Sequence, residues 1–407
     1  MKTVAVRACS RLRPRFGPQR IATYSTSTSK ESAPTPAVKR RPSKHKVAML
    51  VGYRGGGYYG MQYNPPHKTI EGEILAKLFD VGAISEHNST SPKKNSFMAA
   101  ARTDKGVHAV VNLLSLKISL QQDTVARLNA ALPPEIRVWG IQPTNKKFNA
   151  RSACDSRWYE YLIPDFVLVG PPQGSALHQN VGGCYCDDGS QDVWDAFGGQ
   201  VRDRFGAQPD EDEPLTRDYV DLLSTTLGGY RPPRAKLLAL EAAMQQYVGT
   251  HNFHNFTTGK LAADPSAKRY IKEVVVAPAA PQWTSVRIHG QSFMLHQIRR
   301  MVALAVLVAR CQLPPSVVRD HLVAATRKHI PRAPAAGLLL EGPVFAQYNS
   351  KLRRLLYREI RPDSEAVEHM RRFRECQIYT AVAREETQRH VFCHFVRRTN
   401  RLAAPLI

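Results

Sequence analysis

Apolar positions along this chain recur with two periods, every second residue in some segments and every third or fourth in others. Residues 47–53 form a short apolar run ending in glycine and tyrosine, which predicts a strand. From 69 to 82 the spacing of Ile70, Ile74, Leu75 and Leu78 is helical, with Thr69 placed to cap the first turn. Residues 86–94 are polar and read as a loop. The β-branched run 107–118 predicts a long strand, 123–132 a helix stopped by Pro133-Pro134, and 136–141 and 158–163 two more strands. Residues 165–234 break this rhythm. They are rich in glycine, proline and acid, notably Pro209-Asp210-Glu211-Asp212-Glu213-Pro214, and read as an insertion or linker, partly disordered. The pattern then predicts a helix over 235–247, a strand over 284–289, a long apolar helix over 292–309, a helix from Pro315 to about Ala325, and a strand over 338–345. Leu352, Leu355, Leu356 and Ile360 keep a helical spacing, which marks 350–407 as a helical extension.

Strands and helices thus alternate in two halves, as in an α+β protein of two similar lobes. The implied organisation is a basic segment at 1–46, an N-terminal lobe at 47–164, the insertion at 165–234, a C-terminal lobe at 235–349 and the extension at 350–407. The longest apolar run, around 301–308, is bounded by Arg299, Arg300 and Arg310, so it predicts a buried helix and no membrane span.

A chain of 407 residues has room for two or three domains. Its formal net charge of +23 points to a polyanionic partner, nucleic acid first. Seven scattered cysteines fit a reducing compartment with free thiols. Cys184 and Cys186, with His178 upstream, lack zinc-knuckle spacing, and His251 and His254 read as structural or RNA-facing, so no metal is expected. The first thirty residues carry no acid but do carry Arg7, Arg11, Arg13, Arg15, Arg20 and a Ser/Thr-rich stretch, the composition of a mitochondrial transit segment. Lys39-Arg40-Arg41 to Lys46 reads as a nuclear import signal or a nucleic-acid patch. Localisation is therefore expected to be mitochondrial, nuclear or both.

The segment Ala101-Arg102-Thr103-Asp104-Lys105-Gly106-Val107-His108-Ala109 is the richest in chemistry. It places a carboxylate between two cations, on a tight loop at the mouth of a strand. Neighbouring cations favour the ionised carboxylate, and such loops are common seats of catalytic groups. Locally, a polar turn explains Asp104-Lys105-Gly106 equally well. Gly55 to Gly60 is glycine-rich but lacks the Gly-Lys-Ser/Thr ending of a phosphate loop.

Taken whole, the nonapeptide resembles the active-site loop of the TruA family of RNA pseudouridine synthases, whose catalytic aspartate falls at Asp104. Six further segments resemble that family in the same order. Gly57-Tyr58-Tyr59-Gly60-Met61-Gln62 has Met61 in a place usually held by tryptophan. Phe148-Asn149-Ala150-Arg151 and Trp158-Tyr159-Glu160-Tyr161 follow, then Gly249-Thr250-His251-Asn252-Phe253. The helix segment Gln291 to Arg299 and Ala336-Gly337-Leu338 complete the set. Ala303 departs from a common glycine. Residues 373–385 resemble the eukaryotic members rather than the shorter bacterial ones.

The resemblance implies two ferredoxin-like lobes sharing a mainly antiparallel sheet, a central RNA-binding cleft, and uridine isomerisation in tRNA, around the anticodon stem and in other RNAs. It implies no cofactor and a monomer. It makes Asp104 the catalytic carboxylate, Tyr159 the ring against the uracil, and Arg299 the cation that pairs with Asp104. Arg102, Lys105 and Arg151 become RNA contacts. A single carboxylate serves either as nucleophile at C1′ or as base at C2′, and the sequence leaves both open. The alternative from another class is an inactive RNA-binding or chaperone protein of the same fold.

Overall fold

The computed structural model describes residues 43–183, 188–206 and 216–403. The basic leader up to residue 42, Cys184, Cys186 and the acidic run 209–214 lie outside the described residues. Among the described residues, nine strands form a single sheet: β1 (Lys44–Tyr53), β2 (Met98–Ala99), β3 (His108–Ser119), β4 (Ile136–Pro143), β5 (Ser156–Pro164), β6 (Gly249–Asn252), β7 (Lys268–Ala280), β8 (Trp283–Gly290) and β9 (Leu338–Val344). Their order is β4-β1-β3-β9-β5-β8-β7-β6, with β2 against β3. Every pairing is antiparallel except β3 with β9. The sheet is therefore continuous and mainly antiparallel, as expected.

Two details depart from the expectations. β1 starts at Lys44, because Lys44, His45 and Lys46 pair with Ser119, Ile118 and Lys117, and Lys46 Nζ donates to the Ser96 carbonyl at 2.9 Å. β5, assigned by sequence to the N-terminal lobe, lies past the β3–β9 seam, between β9 and β8. β6 and β7 had no counterpart in the sequence reading. In β7 a register shift between Ile271 and Glu273 breaks the two-residue alternation that would reveal a strand.

The helices of eight or more residues are α1 (Ile70–Asp80), α2 (Thr124–Ala131), α3 (Ser190–Phe205), α4 (Arg217–Gly228), α5 (Arg234–Gln245), α6 (Gln297–Arg310), α7 (Ser316–Val323), α8 (Ala346–Arg354), α9 (Ser364–Phe373), α10 (Thr380–Arg389) and α11 (Val391–Asn400). Thr69 caps α1 by accepting from Gly72 N, as its position predicted. α6 is apolar around its circumference and is buried from Met301 to Arg310, which is where such a helix belongs. The segment 86–94, read as a loop, holds two single-turn helices, Glu86–Ser89 and Pro92–Asn95.

The described part of 165–234 is helical rather than a linker. Val193, Phe197 and Val201 of α3, and Tyr219, Leu223 and Leu227 of α4, face the main core at helical spacing. Lys236 and Asp188 form a fully buried ion pair at 2.6 Å there. Glycine and acid in the composition hid this periodicity.

The extension is helical, as predicted, and is stitched to the core. α9 runs through a π-helical segment, Arg374–Tyr379, into α10. Tyr379 Oη donates at 2.8 Å to the buried carboxylate of Glu160 in β5. Arg310, wholly buried at the end of α6, donates to the Val169 carbonyl, to Thr399 Oγ1 and to Asn400 Oδ1 at 2.7, 2.5 and 2.5 Å. Burial pushes its guanidinium down to about 10, and three acceptors replace the water it lost.

Candidate active site

The β3–β9–β5 seam sets the geometry. Ala109 pairs with Leu340 across β3 and β9, and Leu340 pairs with Tyr159 across β9 and β5. Residues directly opposite on neighbouring strands share a face. Tyr159 therefore stands level with the start of β3, and Asp104 sits on the turn that leads into it.

That turn is held from below and from the side. Asn112, fully buried in β3, donates from Nδ2 to the Ala101 carbonyl at 2.8 Å and accepts from Ala101 N at Oδ1 at 3.3 Å. Tyr53 Oη and Thr103 Oγ1 share a buried hydrogen bond of 2.8 Å. Asp104 O accepts from Val107 N at 3.1 Å, closing a turn in which Gly106 takes φ +80°, as a type II turn requires. The glycine loop before α1 presses against it. A Cβ on Gly60, itself at φ +94°, would lie 2.8 Å from the Thr103 carbonyl oxygen, and Met61 N donates to that carbonyl at 3.0 Å. The glycine-rich loop thus braces the aspartate.

A cavity of about 690 Å³ opens over this turn, lined by Asp104, Tyr159, Phe293, His296, Arg102 and Arg151 among others. Tyr159 is buried and meets the Phe293 ring edge to face, with centroids 5.2 Å apart. Burial raises its hydroxyl well above the usual tyrosine range, with the Asp104 charge pushing the same way, so the hydroxyl is a proton donor at neutral pH. At the rim, Lys105 Nζ lies 4.0 Å from the Tyr59 ring centre, and Tyr59 stacks on His67. Arg102 and Arg151 are exposed at the cavity's edge. The sequence-derived set Asp104, Tyr159, Arg102, Lys105 and Arg151 is thus gathered around one opening.

Arg299 is placed differently. Its Nε donates to the Ala333 carbonyl at 2.6 Å, and it lines a neighbouring cavity. Among the described residues, the group in ion-pair range of Asp104 is His296, whose Nδ1 lies 3.2 Å from Oδ2, without the alignment of a hydrogen bond. The opposite ring nitrogen, Nε2, lies 3.2 Å from Arg332 Nη1. A guanidinium only donates, so Nε2 accepts and the neutral ring carries its proton on Nδ1, facing the carboxylate. Burial lowers the His296 pKa; Asp104 pulls it up, while Arg299, Arg332 and Arg300 press it down. The sequence reading missed His296 and Arg332. The expected helix over 292–309 begins only at Gln297, because His296 adopts φ +61°. The one local signal was a polar histidine at the head of an apolar helix.

His251 and His254 do not converge: one ring bonds the Val248 carbonyl and the other bonds Asn252 Oδ1. Among the described residues, Glu386, His390 and Cys393 bring donor atoms within 4.8 Å of one another. The Glu386 carboxylate accepts from Phe392 N and Cys393 N, and His390 Nε2 lies 2.7 Å from Asp221 Oδ1. These bonds fasten the turn between α10 and α11.

A braced carboxylate, a buried tyrosine ring and a cationic rim around one opening on a mixed sheet are the parts of an enzyme that takes a flat, polyanion-borne group. Residues 243–346 match the family described as tRNA pseudouridine synthase. The chain is 73% identical over 370 residues to the tRNA pseudouridine(27/28) synthase of Saccharomyces cerevisiae, covering 88% of this chain and 100% of that protein. It is 42% identical over 395 residues to tRNA pseudouridine synthase 1 of Candida glabrata, covering 89% of this chain and 71% of the relative. With its counterpart in Schizosaccharomyces pombe the identity is 31% over 448 residues, covering 88% and 84%. The chain belongs to the tRNA pseudouridine synthase family.

Proposed function

We propose that this protein isomerises uridine to pseudouridine in tRNA, in and around the anticodon stem, with Asp104 as the catalytic carboxylate. The observation that carries the reading is the single cavity shared by Asp104 and Tyr159. The reaction breaks the N1–C1′ bond, turns the uracil and rejoins it through C5. The product has the same atoms as the substrate, so the step consumes no co-substrate. Asp104 acts as nucleophile at C1′ or as base at C2′. A protonated Tyr159 offers a flat face to the uracil and a hydroxyl near the C5 proton.

A stem uridine must leave its stack to reach this cavity, at a cost of a few kcal/mol. Arg102, Lys105 and Arg151 at the rim would hold the opened backbone, and the Tyr59 ring offers a stacking surface. The Nδ1–H tautomer of His296 would orient the carboxylate. Arg299, held on the Ala333 carbonyl and close enough to Asp104 for the two charges to interact, would attract the carboxylate from there. The halves of the sheet read as ferredoxin-like lobes. The enzyme would act as a monomer on tRNA and on other RNAs, in mitochondria, the nucleus or both. The test is incubation of the full-length protein with unmodified tRNA and an assay for pseudouridine. Conversion supports the reading, and tight binding without conversion makes the protein an inert RNA binder.

A further inference from the structure

We infer that the turn after α8 is a membrane-surface anchor: an exposed apolar tip among cations that docks on an anionic phospholipid bilayer. This anchoring goes beyond the tRNA reading and does not depend on it.

α8 ends at Arg354. Leu352, Leu355, Leu356 and Ile360, spaced as if for one helix face, part company there. Leu352 and Ile360 pack inward on a small core with Phe148 and Phe345. Leu355, Leu356 and Tyr357 stay in water, 65, 95 and 66% exposed. Both limbs of the turn are nevertheless tied down. Asn349 bonds the Ile360 N–H and carbonyl through its side chain at 2.9 and 3.1 Å, and Gln142 Nε2 donates to the Arg358 carbonyl at 2.7 Å.

The helix stop itself is unusual. Leu356 N donates to the Arg353 carbonyl at 3.1 Å and Tyr357 N to the Leu352 carbonyl at 2.9 Å, the bond pair of a Schellman cap. The corner of that cap is left-handed and ordinarily glycine. Here it is Leu356, at φ +57°. Its Cβ is strained by the backbone, and its side chain gains nothing from burial. Two costs thus meet at one residue, and the fold recovers neither. An outside apolar phase would recover the second.

Charge selects the occupant. Residues 351–361 carry five cations and one acid, Glu359, which is bonded to Arg353 at 2.7 Å. Lys351, Arg354, Arg358 and Arg361 are exposed and have no carboxylate within ion-pair distance among the described residues. Apolar side chains set among lysine and arginine suit the headgroup layer of an acidic bilayer. RNA phosphates would pair with the arginines and leave the three apolar side chains in water. A stable protein partner needs about 800 Å² per side, and a tip of three side chains falls short of it. Among the described residues no helix is long and apolar enough to cross a membrane, so the contact is at the membrane surface.

The experiment is sedimentation of the full-length protein with phosphatidylcholine vesicles that contain or lack phosphatidylserine. The wild type should bind the acidic vesicles more tightly. Leu356→Gly restores the usual cap residue, so it should unfold at the same or a higher urea concentration than the wild type. Its partition to acidic vesicles should still fall about 10-fold, because the apolar contact is lost. Arg354→Gln/Arg358→Gln should lose about 30-fold, at about 5-fold per cation, while Arg354→Lys/Arg358→Lys should lose little. Wild-type binding that ignores phosphatidylserine overturns the proposal. So does vesicle binding by Leu356→Gly that equals the wild type, since the contact then lies elsewhere on the chain. A Leu356→Gly protein that unfolds at lower urea makes the leucine a structural residue and also overturns it. Weaker binding of unmodified tRNA by Leu356→Gly, with vesicle binding unchanged, makes the tip an RNA contact and the membrane proposal falls. Absence of pseudouridine formation defeats the activity reading and leaves the vesicle comparison standing.

Discussion

Asn112→Ala removes the strut beneath the Asp104 turn. Its amide makes the two bonds to Ala101, accepts from Leu113 N at 2.9 Å and lies 3.4 Å from Tyr53 Oη, which in turn holds Thr103. Ala101 is buried, so the substitution leaves its N–H and carbonyl without partners. Each orphaned group costs about 1–3 kcal/mol, which sums to about 2–6 kcal/mol. That is a large share of the roughly 5–15 kcal/mol by which domains are stable. Asp104 lies three residues further on. A displacement of about 1 Å in a catalytic group costs on the order of 100-fold in rate. Urea unfolding followed by tryptophan fluorescence reads the first effect. Single-turnover pseudouridine formation, at a temperature where both proteins stay folded, reads the second. A variant as stable as the wild type would refute the hydrogen-bond argument, and a destabilised variant with the full rate would refute the positioning argument.

Two further outcomes follow from the same structure. Tyr159→Phe keeps the ring and deletes the hydroxyl, so tRNA affinity should hold while turnover drops about 100-fold or more; equal turnover in a side-by-side assay would leave the hydroxyl without a role. His108 accepts from Gly55 N at Nδ1 and is buried, which pushes its pKa from 6.5 down to about 4, with Arg54 adding to the effect. The unfolded chain binds the proton first, so this contribution to stability is present above pH 6.5 and fades as pH falls toward 4, by about 3 kcal/mol at most. His108→Asn should flatten the pH dependence of urea stability in that window, and an unchanged slope would show that another group carries it.

The parts of this fold with strong local patterns were legible. The Thr69 cap, the apolar helix α6 and the long strand β3 each announce themselves in spacing or in a terminal residue. The bulged strand β7 did not, because one inserted residue moves its apolar set to the other face. Nor did α3 and α4, whose buried stripes are narrow and set among glycines and acids. In the site, Asp104 and Tyr159 were read from motif order, and the strand register explains their meeting. The partner of Asp104 was not legible. A helix begun at residue 292 would put His296 and Arg299 on one face. The left-handed turn at His296 instead sends the imidazole to Asp104 and the guanidinium to Ala333.

The seam also explains why the site needs the whole sheet. Asp104 precedes β3, Tyr159 is on β5, His296 follows β8, and β9 lies between the strands that carry the first two. Among the described residues, the ladder between β3 and β9 has two residue pairs, His108 with Leu339 and Ala109 with Leu340. Changes that loosen this short contact should therefore reach catalysis before they reach either half of the fold.

The most direct measurement of the central claim is pseudouridine formation on unmodified tRNA by the wild type and by Asp104→Ala, with tRNA binding measured for both. Both proteins should bind, and only the wild type should convert uridine. An Asp104→Ala protein that converts uridine at the wild-type rate would contradict the claim.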